Sequence, residues 1–121
     1  MFNEGNIGTF TAGEALEAHR RVKLSSGVEG QVEYADAADD FIGVTETAAA
    51  LGAQVAVRFK NAPGTVEIEA SVAITVNVII YGAADGKVAI SSTSTAKVGR
   101  AFEAASGNGA VIECMIDRSA A

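Results

Sequence analysis

Lys97-Val98-Gly99-Arg100-Ala101-Phe102-Glu103-Ala104-Ala105-Ser106-Gly107-Asn108-Gly109-Ala110-Val111-Ile112-Glu113-Cys114-Met115-Ile116 repeats, in outline, an earlier stretch: Phe41-Ile42-Gly43-Val44-Thr45-Glu46-Thr47-Ala48-Ala49-Ala50-Leu51-Gly52-Ala53-Gln54-Val55-Ala56-Val57-Arg58-Phe59. Both place a branched apolar residue before a glycine (Ile42-Gly43, Val98-Gly99), then an alanine pair (Ala48-Ala49, Ala104-Ala105), then a glycine-containing turn and an apolar run. One gap-free shift of 56 aligns these features and also brings Gly30–Tyr34 onto Gly86–Ile90. Further upstream, Ala15–Lys23 matches Ala73–Tyr81 more weakly at a shift of 58. The chain therefore reads as two related halves, about residues 10–60 and 65–116. Two copies fall short of the three or so repeats a solenoid needs to bury a continuous core. The halves are expected to interlock as one small barrel or sandwich.

The periodicity of the apolar positions is that of strands. Val55, Val57 and Phe59 alternate with Ala56, Arg58 and Lys60; Val66, Ile68 and Ala70 alternate with Glu67 and Glu69. Such alternation describes half-buried strands. Strands are also expected at Arg20–Leu24, Gly30–Tyr34 and Val88–Ile90, with Asp85-Gly86 as the tight hairpin turn before the last. Ser71–Tyr81 is the most apolar stretch, a central strand or two strands bent at Asn77. The final run is read with Ile112, Cys114 and Ile116 inward and Glu113 and Asp117 exposed, because the alternative register would bury Glu113 and a slip of one exchanges the faces. That register makes the Gly107-Asn108-Gly109 turn one residue longer than its counterpart. Thr11-Ala12-Gly13-Glu14 has capping-box spacing, so a turn or two of helix is expected near residues 13–18. The fold class is all-β: a small barrel with at most short helical turns.

At 121 residues the chain is expected to form a single domain, residues 10–118, preceded by a flexible N-terminal arm over residues 1–9. That arm mixes Asn, Gly and isolated apolar side chains and reads as a frayed terminus or as a segment that orders on assembly. The formal net charge of −6 disfavours nucleic acid, since only Arg20-Arg21 with Lys23 gathers positive charge. No segment has the roughly 20 apolar residues of a membrane helix. Met1–Asn6 lacks the basic and apolar regions of a secretory signal, so synthesis in a cytoplasm is expected.

Little in the sequence points to catalysis. His19 is the one histidine and has no second histidine or cysteine nearby to form a metal pair; it reads as a lone surface residue. Cys114 lies in an alternating apolar run and reads as a buried, inert thiol. Asp36, Asp39 and Asp40 lack the alternate spacing, central Gly and terminal Glu of a calcium loop, and read as solvated. No catalytic residue, cofactor or metal is assigned. A small strand-rich domain without such groups works by presenting a surface, and its open strand edges need covering, which copies of itself in a closed ring would do. The other readings are a small-molecule or carbohydrate binding β-sandwich, thinly supported with no Trp and two Tyr, and a hydrolase or lyase built on His19 and a carboxylate.

Several motifs, in this order, resemble the capsid decoration, or cement, proteins of tailed bacteriophages. They are the Thr-Ala-Gly stretch leading into Ala-Leu-x-Ala-x-x-x-Val (Thr11–Val22), Ile-Gly-Val-Thr (Ile42–Thr45), Ala-Ala-Asp-Gly-Lys-Val (Ala83–Val88), and Val-Gly-Arg-Ala-x-Glu-Ala-Ala-Ser-x-x-Gly (Val98–Gly109). The resemblance covers about residues 8–116. It implies a tulip- or barrel-like β fold and assembly, commonly as a homotrimer, on the exterior of an expanded phage head, where the subunits clamp the major capsid protein. It further implies capsid or protomer contacts from the N-terminal arm, here Phe2, Asn6, Ile7 and Phe10. The sequence departs from the family at Val76-Asn77, where relatives often carry a small residue and Gly.

Overall fold

The computed structural model describes residues 6–117. Ten strands make up the fold: β1 (Ile7–Ala12), β2 (Arg21–Leu24), β3 (Gln31–Tyr34), β4 (Gly43–Thr45), β5 (Gln54–Phe59), β6 (Val66–Glu69), β7 (Ile79–Gly82), β8 (Val88–Ala89), β9 (Lys97–Ala101) and β10 (Val111–Ile116). The protein is all-β, and among the described residues the one helical element is a 3-10 turn at Ala84–Gly86.

The duplication seen in the sequence is a duplication of hydrogen bonding. The first five strands close a barrel in the order β1-β3-β2-β4-β5; the last five form a sheet in the order β6-β10-β9-β7-β8. With β6 in the place of β1, β10 of β5, β9 of β4, β7 of β2 and β8 of β3, the two orders are the same cycle. The first cycle closes through the parallel pairs Thr11↔Gln31 and Ala12↔Val32. In the second, closure is reduced to one parallel bridge, Ala70↔Val88. Outside the named strands the match persists: Leu16 and Ala49 exchange backbone bonds of 2.8 and 2.9 Å, and Ile74 and Ala105 exchange bonds of 3.0 and 2.8 Å. The halves thus stand in tandem, the first closed as a barrel and the second a half-barrel sheet held by that one bridge, rather than interlocking in one barrel. Phe10, Ala12, Leu16, Val22, Val32, Val55 and Val57 fill the first. The second core, from Val66 to Cys114, also takes in Ala35, Phe41 and Val44 of the first half.

The repeated Gly explains itself at the joint between strands. A Cβ on Gly43 would meet the carbonyl oxygen of Arg58, and one on Gly99 that of Met115. Only a residue without a side chain lets these strands approach so closely. The inward register of the last strand is also as expected: Ile112 pairs with Ile68 and Cys114 with Val66, and both are buried. Glu113 stays on the outer side, half-buried, where its Oε2 accepts a 2.5 Å bond from the Thr65 hydroxyl. Asp85 and Gly86 both take positive φ, 56° and 76°, in the hairpin between β7 and β8.

Four expectations differ from the structure. Residues 13–18 form no helix: Leu16 is held extended by Ala49, and the Glu14 carboxylate accepts the Tyr34 N–H at 3.0 Å instead of capping. Of Ser71–Tyr81 only its last residues belong to a strand, because Asn77 turns the chain with φ 73°. His19 does the same 58 residues earlier with φ 66°, which makes it a half-buried turn residue rather than a surface one. Asn tolerates this left-handed region well. The expected arm over residues 1–9 is shorter from its inner end, since Ile7–Thr9 pair with Arg58–Ala56 as the start of β1.

Candidate docking surface

The four residues assigned to contacts separate. Phe2 lies outside the described residues. Asn6 is exposed, and its carbonyl accepts the Phe59 N–H at 2.8 Å. Ile7 is 47% exposed, whereas Phe10, on the opposite face of β1, is 5% exposed and meets Phe59 edge-on with centroids 6.0 Å apart. Alternation along β1 decides this: Gly8, Phe10 and Ala12 point in, Ile7 and Thr9 out. Phe10 is a core residue, and what little of it is exposed lines a groove at the end of the first barrel.

The arginines of the basic run, Arg20 and Arg21, are spent inside the molecule at the joint between the halves, while Lys23 stays partly exposed beside the acidic loop. Arg21 is fully buried and donates to the carbonyls of Lys87 (3.0 Å), Ala83 (2.8 Å), Ala35 (3.2 Å) and Asp36 (3.3 Å), with its guanidinium over the Phe41 ring. Burial lowers its pKa to about 10, against the opposing pull of Asp39 and Asp36. Arg20 forms a two-point pair with Glu69 (3.0 and 3.3 Å) and donates to Asp85 O at 3.0 Å. Lys87 reaches the same Glu69 carboxylate at 3.3 Å. Burial pushes the Glu69 carboxyl up, but Arg20 and Lys87 outweigh it and hold it below the usual range. This run is the only candidate phosphate-binding cluster in the sequence; the burial of its arginines depends on Glu69, Ala83, Asp85 and Lys87, 49 to 66 residues away, which no local pattern displays.

The acidic loop is likewise engaged. Lys23 Nζ donates to Asp39 at 2.9 Å, and Lys60 to Asp40 at 2.7 Å. Those hydrogen bonds hold both carboxyls below their ordinary values. Among the described residues no group of three His, Cys, Asp or Glu side chains converges in a way that could hold a metal ion. His19 keeps a buried Nδ1 without a hydrogen-bond partner. Burial pushes the Cys114 thiol up to about 12, so it stays protonated and unreactive at neutral pH.

What the surface offers is shape and apolar area. A groove of about 500 Å³ runs over β7, β9 and β10, where Ile79, Arg100 and Met115 lie side by side in register. Met115 is 47% exposed. Arg100 makes one hydrogen bond, to Asn77 O at 2.7 Å, and among the described residues has no ion pair. A second groove of about 450 Å³ follows the seam between the halves, with Glu46, Glu67, Glu103 and Glu113 around Arg58. A third, of about 440 Å³, lies at the end of the first barrel, among Leu24, Ile42, Phe59 and Lys60. No described helix is long and apolar enough to cross a membrane.

No curated protein matches the chain. Among solved structures, the N base of the head fiber gp8.5 of bacteriophage phi29 superposes with a TM-score of 0.78 at 20% identity, covering 95% of this chain and 96% of that one. At that identity the likeness shows the fold alone. The family model described as phage cement protein matches residues 2–116, nearly the whole chain. This is a family of structural phage proteins rather than of enzymes, and the chain belongs to it.

Proposed function

We propose that the protein binds the outer surface of a phage capsid, stabilises the expanded head against internal pressure, works as a homotrimer and catalyses no reaction. The observation that carries this reading is the cement-protein match over residues 2–116. The architecture supports it. A closed barrel and a half-closed sheet, joined through buried Arg21 and the Arg20–Glu69–Lys87 cluster, give a stiff body whose exposed apolar side chains are free to dock. Weak contacts repeated over a symmetric shell add through high effective concentration. On this reading Asn6 and Ile7, with Phe2, contribute to the shell or protomer contact, and Phe10 supports them from the core. The major capsid protein is the partner, and the virion exterior is the working location.

The test is to mix purified protein with expanded and unexpanded heads, pellet the particles and image them. Decoration of expanded heads, with improved survival on heating, is the expected result. Absence of binding to either form overturns the reading. Ile7→Asp is expected to weaken head binding while leaving the fold intact by circular dichroism.

A further inference from the structure

The joint between the two halves has a face that is used once and left over once. On the first barrel the outer row Arg21–Val44–Arg58 is in register across β2, β4 and β5. Arg21 and Val44 are fully buried, because the second half packs on them. By the repeat, the matching row on the second half is Ile79–Arg100–Met115, across β7, β9 and β10. The cross-strand pair is conserved in kind with its members exchanged: Arg21 beside Val44, Ile79 beside Arg100. Among the described residues nothing covers the second row, and it floors the groove of about 500 Å³.

The element that covers the first row has a counterpart too. Arg21 donates to Ala83 O and Lys87 O, the two ends of the turn after β7, and Gly82 and Gly86 come so close that a Cβ on either would press on Arg21. The equivalent turn after β2 runs from Ser25 to Gln31. It has the same closing bond, Ser25 N–H to Gln31 O at 2.8 Å against Ala83 N–H to Lys87 O at 2.9 Å, and the same left-handed glycine, Gly30 for Gly86. Among the described residues this turn is uncovered, and it carries exposed apolar side chains that its covered counterpart lacks: Leu24 is 52% and Val28 47% exposed.

We propose that a second copy of this chain docks its Leu24–Gln31 turn on the Ile79–Arg100–Met115 face, repeating between chains the joint that holds the two halves together. Arg100 then donates to carbonyls of the incoming turn as Arg21 does, while Leu24 and Val28 cover Met115 and Ile79. Two different patches meet, so the contact is heterologous, and it gives a closed ring when the rotation allows, as three copies would. The proposal rests on the self-association in the reading above and names the surfaces that perform it.

Two variants and their mixture test it by sedimentation velocity. Met115→Glu spoils one patch and Leu24→Glu the other; each alone is expected to sediment as a monomer, with self-association weakened at least about tenfold. Mixed one to one, they retain one good patch each and are expected to form a capped dimer, which a two-fold, like-on-like contact does not produce. Arg100→Glu and Val28→Glu carry the same test should either first variant unfold. Wild-type mass for either variant, a mixture that stays monomeric, or a wild type that is monomeric at its solubility limit overturns the proposal. Pelleting with heads separates the two readings: a monomer that decorates heads sinks only the ring, and a ring that ignores heads sinks only the capsid role.

Discussion

Replacing Arg21 by Met tests the joint directly, because Met matches the length of the arginine stem without its donors. Four hydrogen bonds disappear. The carbonyls of Ala35, Asp36 and Lys87 each keep a backbone donor, from Gly86, Asp39 and Ala83, whereas the carbonyl of half-buried Ala83 loses its charged donor. At about 1.5 kcal/mol for each charge-assisted bond, the gross loss is near 6 kcal/mol. Against this, the guanidinium is itself costly to bury: its Nη1 has no partner, and the fall of its pKa from 12.5 to about 10 corresponds to roughly 3 kcal/mol of penalty that Met does not bear. The net expectation is a loss of about 3 kcal/mol. Urea unfolding followed by circular dichroism reads it: with a slope of about 1.5 kcal/mol/M for a chain of this size, the midpoint falls by about 2 M. A loss under about 1 kcal/mol with an unchanged slope would refute the claim that Arg21 fastens the halves, and would mean that the apolar contacts of Phe41 and Val44 suffice.

Phe10→Ala is expected to cost about 3–5 kcal/mol by leaving a cavity beside Phe59, whereas Ile7→Ala changes stability by less than about 0.5 kcal/mol; calorimetry showing the reverse order would invert the faces of β1. Gly43→Ala and Gly99→Ala each push a methyl group into a carbonyl of the neighbouring strand, and both are expected to lose about 2–3 kcal/mol in thermal melts; tolerance at either position breaks the structural equivalence of the halves. Glu69 is held below its ordinary pKa, so its contribution is full above the unfolded value of about 4.3 and drains away as pH falls through the folded value. Melting temperatures of wild type and Glu69→Gln should therefore converge as pH drops below about 4, and parallel curves would deny the carboxylate its role at the joint.

Strand content was legible wherever one face is dry and the other wet, as in Val55-Ala56-Val57-Arg58, because alternation records that asymmetry locally. The register of Ile112 and Cys114 could be chosen from the cost of burying Glu113 alone. The reading of residues 13–18 as helical went astray because Thr11 and Glu14 suit a cap locally, while the decisive bonds, Leu16 with Ala49, come from a segment more than 30 residues away. Ser71–Tyr81 misled for a related reason: Val72 and Val76 are exposed in the structure, so apolar composition did not mean burial there. As for the site, Ile7 could be singled out from position, but not separated from Phe10, since that needs the phase of β1.

By itself the sequence determined that the chain is a duplicated β structure with small inward side chains and no evident catalytic set, because repetition, alternation and residue chemistry are written along the chain. Only the tertiary structure decided that the first half closes as a barrel and the second stays a half-barrel sheet, that Arg20 and Arg21 fasten the halves instead of facing solvent, and that Ile79, Arg100 and Met115 share one open face. Those outcomes depend on which distant carbonyls and carboxylates arrive at a given side chain, and a one-dimensional pattern does not contain that distance.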